Sequence, residues 1–162
     1  MMAEQNMQEF IKVLSSKAAV PGGGGACAYV AAAGMALGAM VANLTTGKKK
    51  YAQYQEEIEE LLSKTEQLSK ELMTYMDKDA ESFEPLSKAY GLPKDTKEQQ
   101  KYKDVVMEKA LKEASLTPVA LMEKILEALK ILERLSVVGS RLAISDVGAG
   151  VQLCKAALNG AS

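Results

Sequence analysis

Residues 26–42 run for seventeen positions without one charged side chain, and most of them are Ala or Gly. The run is nearly long enough to cross a bilayer. Ala and Gly, however, insert poorly compared with Leu and Ile. The segment therefore reads as a helix from about Ala26 to Thr45, buried on all sides rather than membrane-spanning. It would lie at the centre of a bundle or against a second subunit. Gly34 and Gly38 stand four apart on one face, where a neighbouring helix can approach closely.

The rest of the chain supplies neighbours for such a helix. Met7, Phe10, Ile11 and Leu14 give a short first helix, Glu4 to Leu14, one apolar face. Ile58, Leu61, Leu68, Leu72 and Tyr75 step by threes and fours along a long helix from about Tyr54 to Tyr90, ended by Gly91 and Pro93. Asp95 with Glu98 resembles a capping box opening a fourth helix to about Glu113. Thr117 before Pro118 reads as the start of a fifth, carrying Leu121, Ile125, Leu129, Leu132 and Leu135. Gly139 and Ser140 end it, and a last helix covers about Ser145 to Leu158. No alternating Val/Ile/Thr run lies between hairpin turns. The expectation is one all-α domain over residues 1–162, an antiparallel bundle of about six helices.

The inventory of reactive groups is narrow. The sequence has no histidine, so Ser-His and Cys-His nucleophile pairs are excluded. Zinc sites built on imidazole are excluded too, and Cys27 and Cys154 alone make no four-thiolate site. Proton transfer near neutral pH falls to carboxylate, Lys, Tyr, Cys or solvent. Both cysteines lie in apolar, Ala-rich surroundings and read as reduced, buried thiols. With no signal peptide in view, the expected compartment is the cytoplasm. Twenty Lys and Arg against twenty-one Asp and Glu give a net charge of −1. That balance provides no global attraction to nucleic acid or a membrane surface.

Several local features invite a chemical reading. Pro21 precedes Gly22, Gly23, Gly24 and Gly25, a run that is either a flexible turn or a loop whose main-chain N–H groups meet a ligand at a helix start. Gly23, Gly25 and Ala28 match the dinucleotide-binding spacing, but a helix rather than a strand precedes them. Asp79 continues the Leu68–Leu72–Tyr75 seam, with Phe83 and Leu86 beyond it. A carboxylate in an apolar stripe has a raised pKa unless a cation partners it; the alternative is a wet rim position. Asp146 is the only charge between Arg141 and Lys155. Ser145 as N-cap with Asp146 in the first turn would be ordinary helix-start chemistry, or the carboxylate faces a ligand. Lys48, Lys49 and Lys50 read as a solvated face or as an anchor for an anionic tail. Asn43, on an apolar helix, needs a polar partner.

Taken in order, Pro-Gly-Gly-Gly at 21–24, Ala-Asn-Leu-Thr-Thr-Gly-Lys-Lys-Lys-Tyr at 42–51, Asp-Ala-Glu-Ser-Phe at 79–83 and Ser-Arg-Leu-Ala-Ile-Ser-Asp-Val-Gly at 140–148 resemble the formiminotransferase-cyclodeaminase C-terminal domain family. The resemblance covers nearly the whole chain. It implies an all-α homodimer with a groove at or near the interface. It implies one of two reactions: cyclisation of 5-formiminotetrahydrofolate to 5,10-methenyltetrahydrofolate with loss of ammonia, or hydrolysis of the methenyl compound to 10-formyltetrahydrofolate. Neither needs a metal or other cofactor; the tetrahydrofolate derivative, with or without a polyglutamate tail, is the substrate. On this reading Asp79 is the acid/base, and Asp146 orients the pterin or water. Pro21, Gly22, Gly23, Gly24, Asn43, Phe83 and Ser145 line the substrate, and Lys48 holds its glutamate tail. A non-catalytic folate-binding bundle, or a dimerisation module built on Gly34 and Gly38, are the competing readings. Two departures stand out. Gly25 occupies a position where the family often has Ser, and the chain ends at Ala161-Ser162, where the family usually continues.

Overall fold

The computed structural model describes residues 2–162, and among them it holds five α-helices and no strand. These are α1 (Met7–Leu14), α2 (Gly23–Thr45), α3 (Gln55–Tyr90), α4 (Lys97–Val138) and α5 (Ile144–Ala161). A 3₁₀ segment, Lys49–Tyr54, leads into α3, and a 3₁₀ turn, Arg141–Ala143, leads into α5.

The four longer helices pack as a ring: α2 lies against α3 and α5, and α4 closes the other side against the same two. Met35, Ile58, Leu72, Leu121, Ile125, Leu132 and Leu135 fill the centre, fully buried. This is the seam read from the three- and four-residue steps. Two helices approach closely where side chains vanish. A Cβ on Gly34 would stand 2.7 Å from Cys154 Sγ and 2.9 Å from the Gly150 carbonyl, and one on Gly150 would stand 2.9 Å from the Gly34 carbonyl. Farther along, Cys27 Sγ lies against Gly160, so α5 runs antiparallel to α2. Gly38 instead faces Leu132 and Thr65 inside the ring. Both glycines are thus consumed within one chain, which overturns their use as a dimerisation face.

Three expectations about the helices need correction. The predicted fourth and fifth helices are one, with Pro118 inside it. Proline removes one N–H, and the burial of Leu121 through Val138 on α4 outweighs that single lost bond. The cap of α4 is Thr96 with Gln99, a reciprocal box one residue later than Asp95 and Glu98. Finally, α2 is not buried on all sides. Among the described residues it alone is long and apolar enough to cross a membrane, yet half of it is packed inside the bundle. Its outward face stays open: Ala33, Ala36, Met40, Asn43 and Leu44 are exposed.

At one end the bundle is tied by a buried hydrogen-bond relay. Thr45 Oγ1 donates to the Val41 carbonyl at 2.6 Å and accepts from the Ser140 N–H at 2.8 Å. At the other end α3 and α4 outrun α2 and project as a two-helix arm. The arm has its own small core of Leu86, Ala89 and Ala110, flanked by Phe83, Leu92, Val106, Met107 and Ala114. Lys103 Nζ closes its tip by donating to the carbonyls of Tyr90 and Leu92 at 2.7 and 2.8 Å.

Candidate active site

The glycine run is the start of a helix rather than a loop. Gly22 is the N-cap residue of α2, and Gly23, Gly24 and Gly25 form its first turn, three residues earlier than the sequence reading placed it. No side chain of its own caps this helix. The cap comes from another element: Asp79 on α3 accepts the Gly25 N–H on Oδ2 at 3.0 Å. This satisfies one of the orphan donors at a helix start and sets an anion at the positive end of the dipole. Gly24 is glycine for space, since a Cβ there would overlap Asp79 Oδ1. At Gly25 the nearest atom to a Cβ would be Pro21 Cβ at 3.4 Å, an ordinary contact.

Asp79 holds the seam position the periodicity gave it, between Tyr75 and Met76 on one side and Phe83 and Leu86 on the other. Burial pushes its carboxyl above the usual carboxylate range, and the Gly25 N–H draws it part of the way back. No cation pairs with it among the described residues; the neighbouring Lys78 Nζ lies over the Tyr75 ring, 4.6 Å from its centroid. Cys27, one turn into α2, feels the same surroundings. Burial first, and the Asp79 charge second, push its thiol up. One step along α3 from Asp79, which does not itself line it, an open cleft of about 340 Å³ is bounded by Ala19, Val20, Ala80, Glu81, Phe83, Glu84 and Ser87.

The remaining residues picked from sequence lie at the far end of the bundle. Asn43 is exposed near the end of α2, in a second cleft with Ala36, Ala39, Met40, Glu66, Ser69 and Lys70. Lys48 follows α2 and is exposed. Ser145 is exposed and does not cap α5: Ala143 takes the N-cap position, and Asp146 sits half-buried in the first turn. From the Gly34–Gly150 contact, helical rise puts Asp146 about 20 Å from Asp79 along the bundle. One chain therefore gathers Pro21, Gly22, Gly23, Gly24, Phe83 and Asp79 at one end. It leaves Asn43, Lys48, Ser145 and Asp146 at the other.

The sequence reading missed two contacts. One is the Gly25 N–H, a backbone group that no side-chain pattern reveals. The other is Tyr51, whose hydroxyl accepts the Arg141 N–H at 3.0 Å while Lys50 Nζ lies 5.6 Å from its ring centroid. The Arg141 N–H first, then the Ser140 side chain, then Lys50 and Lys48, hold the Tyr51 phenol below its usual pKa. Its place directly after the lysine run was the only hint. No group of three or more His, Cys, Asp or Glu among the described residues is placed to hold a metal ion.

A family model described as formiminotransferase-cyclodeaminase matches residues 6–162. The chain belongs to the formiminotransferase-cyclodeaminase family. Among its relatives, a methenyltetrahydrofolate cyclohydrolase of Methylorubrum extorquens is 36% identical over 162 residues, all of this chain and 78% of that protein. A formimidoyltransferase-cyclodeaminase of Gallus gallus is 31% identical over 152 residues; the match spans 94% of this chain but only 28% of that much longer protein. The crystal structure of a formiminotetrahydrofolate cyclodeaminase from Thermotoga maritima superimposes with a TM-score of 0.87 at 28% identity, covering 99% of this chain and 76% of that one. Family membership sets the chain among folate one-carbon enzymes, as the linked motifs implied, and confirms the all-α class.

Proposed function

We propose that this chain hydrolyses 5,10-methenyltetrahydrofolate to 10-formyltetrahydrofolate, with Asp79 carrying the proton. The observation that carries the reading is the Asp79 carboxyl itself. It sits in an apolar seam with a raised pKa, and its Oδ2 is fixed by the Gly25 N–H. A carboxyl poised above its usual range can accept a proton and return it. The ionised carboxylate takes a proton from water as the oxygen bonds to the methenyl carbon. The hydroxyl proton then leaves to solvent as the C=O bond forms and the C–N5 bond breaks; the formyl group stays on N10, and Asp79 returns its proton to N5. The similarity to a methenyltetrahydrofolate cyclohydrolase over the full chain favours hydrolysis. The fold of the Thermotoga maritima cyclodeaminase supports a second reading with the same acid/base. There N10 attacks the formimino carbon and loses its proton to Asp79, which delivers it to the departing ammonia.

The site is completed by a second copy of the chain. The open face of α2 is uncharged and centred on the small Ala33 and Ala36. Two such faces meeting antiparallel about a two-fold axis would set the Asn43, Lys48 and Asp146 end of one chain beside the Asp79 end of the other. The pterin would then lie over the glycine turn and Phe83, Asn43 would meet its polar edge, and Asp146 would orient it or the attacking water. Lys48 would face the glutamate tail. We place the enzyme in the cytoplasm, where both thiols stay reduced.

Loss of methenyltetrahydrofolate absorbance tests the activity, and Asp79→Asn should abolish it with the fold intact. Mixing inactive Asp79→Asn and Asp146→Asn chains tests the shared site. If each site draws on both chains, random reassociation restores about a quarter of the wild-type rate. No recovery would overturn the shared arrangement.

A further inference from the structure

We infer that the α3–α4 arm is a hinged lid over the Asp79 site. The inference rests on Asp79 marking the substrate site and concerns how that site closes. Two apolar cores share the α3–α4 pair, and they are separate. The main core ends on α3 at Tyr75 and Met76 and begins on α4 at Ala120 and Leu121. The arm's core begins on α3 at Phe83 and Leu86 and ends on α4 at Ala110 and Ala114. Asp79 lies in the gap between them. Pro118 in α4 stands in that gap, and Pro85 in α3 stands just beyond it, between Phe83 and Leu86 of the arm's core. Each lacks an N–H, so the Glu81 carbonyl has no donor at residue 85 and the Ala114 carbonyl none at residue 118. Both helices are therefore weakened at the junction of two independently packed bodies, the arrangement that permits rigid-body bending.

The cleft beside Asp79 lies across this hinge. Its α3 wall is Ala80, Glu81, Phe83 and Glu84 before Pro85 and Ser87 after it, and its opposite wall is Ala19 and Val20, which lead into α2. Bending at the Glu81–Pro85 and Ala114–Pro118 turns, each short of one main-chain hydrogen bond, widens or narrows this cleft. Closure would exclude water from the space next to Asp79 once substrate is bound.

Hydrogen exchange followed by mass spectrometry, on the whole protein with and without saturating tetrahydrofolate, tests this. Bound folate should slow exchange of the amides in 81–89 and 114–121 by about tenfold or more, with smaller changes at the arm tip, 94–106. The Pro85→Ala/Pro118→Ala chain, which restores both hydrogen bonds, should show that slowing without folate, bind tetrahydrofolate, and turn over methenyltetrahydrofolate about tenfold more slowly with KM little changed. Binding that leaves the hinge amides unchanged, or a double variant with wild-type kcat, overturns the lid. Should the double variant fail to fold, the wild-type exchange pattern alone decides. A failure of the site assignment looks different: tetrahydrofolate would bind Asp79→Asn and wild type equally and protect amides elsewhere.

Discussion

The Gly25 N–H and Asp79 Oδ2 meet at 3.0 Å across fifty-four positions of sequence, so the carboxylate of one helix caps another. The bond gives Asp79 two tasks. It satisfies a main-chain donor at the start of α2, and it stays in a partly buried setting that favours its protonated form. These oppose each other, which allows the group to exchange a proton.

The raised pKa has a definite sign in stability. The native state holds the Asp79 proton more tightly than the unfolded chain, so between the two pKa values folding binds protons and stability falls as pH rises. The penalty is complete above the folded pKa and absent below the unfolded value near about 4. Urea titrations from acid to neutral pH should show this slope in the difference between wild type and Asp79→Asn, since the lowered Glu57, Glu71 and Glu84 titrate in both. Hydrolysis needs the ionised form, so the acid limb of kcat/KM should lie above the ordinary carboxylate range.

Gly24→Ala and Gly25→Ser should part company. The first drives a methyl group into the Asp79 carboxylate and should lower kcat/KM by about a hundredfold, as displaced catalytic groups do. The second has room and replaces a poor helix former, so it should keep activity and add about 0.5 kcal/mol of stability. Steady-state kinetics and urea midpoints on the pair check both.

Thr45→Val retains shape but removes the oxygen that accepts the buried Ser140 N–H. That donor would be left unpaired at a cost of about 1–3 kcal/mol. A lower urea midpoint with an unchanged slope is the expected result.

Met40→Glu should separate assembly from folding. Met40 is 38% exposed on the open face of α2, so a charge there should change chain stability by less than about 0.5 kcal/mol. Light scattering should nonetheless show a monomer, and activity should fall with it.

The ring of helices was legible because buried side chains repeat at helical spacing: Leu68, Leu72, Tyr75 and Asp79 lie where the steps put them. Pro118 misled because local preference marks it as a helix start, while the packing of the Leu121–Leu135 stripe is a tertiary term that carries α4 through it. The glycine run was misread for a related reason. Its entropy suggests a loop, and only a carboxylate from α3 shows why a helix begins there without a side chain at residue 24. Asp79 itself was found by periodicity. The separation of Asp79 from Asp146 was not, because spacing along a sequence does not say which ends of antiparallel helices lie together.

The contact between Gly34 and Gly150 acts as a key between α2 and α5. The carbonyl of each glycine occupies the space a methyl group on the other would need. Sliding α5 by a single residue would bring a side chain into that gap. The spacing between the two ends of the bundle is thereby set far from either carboxylate. A combinatorial library at positions 34 and 150 should return glycine at both, and selections that alter substrate choice should leave this pair untouched while sampling the clefts freely.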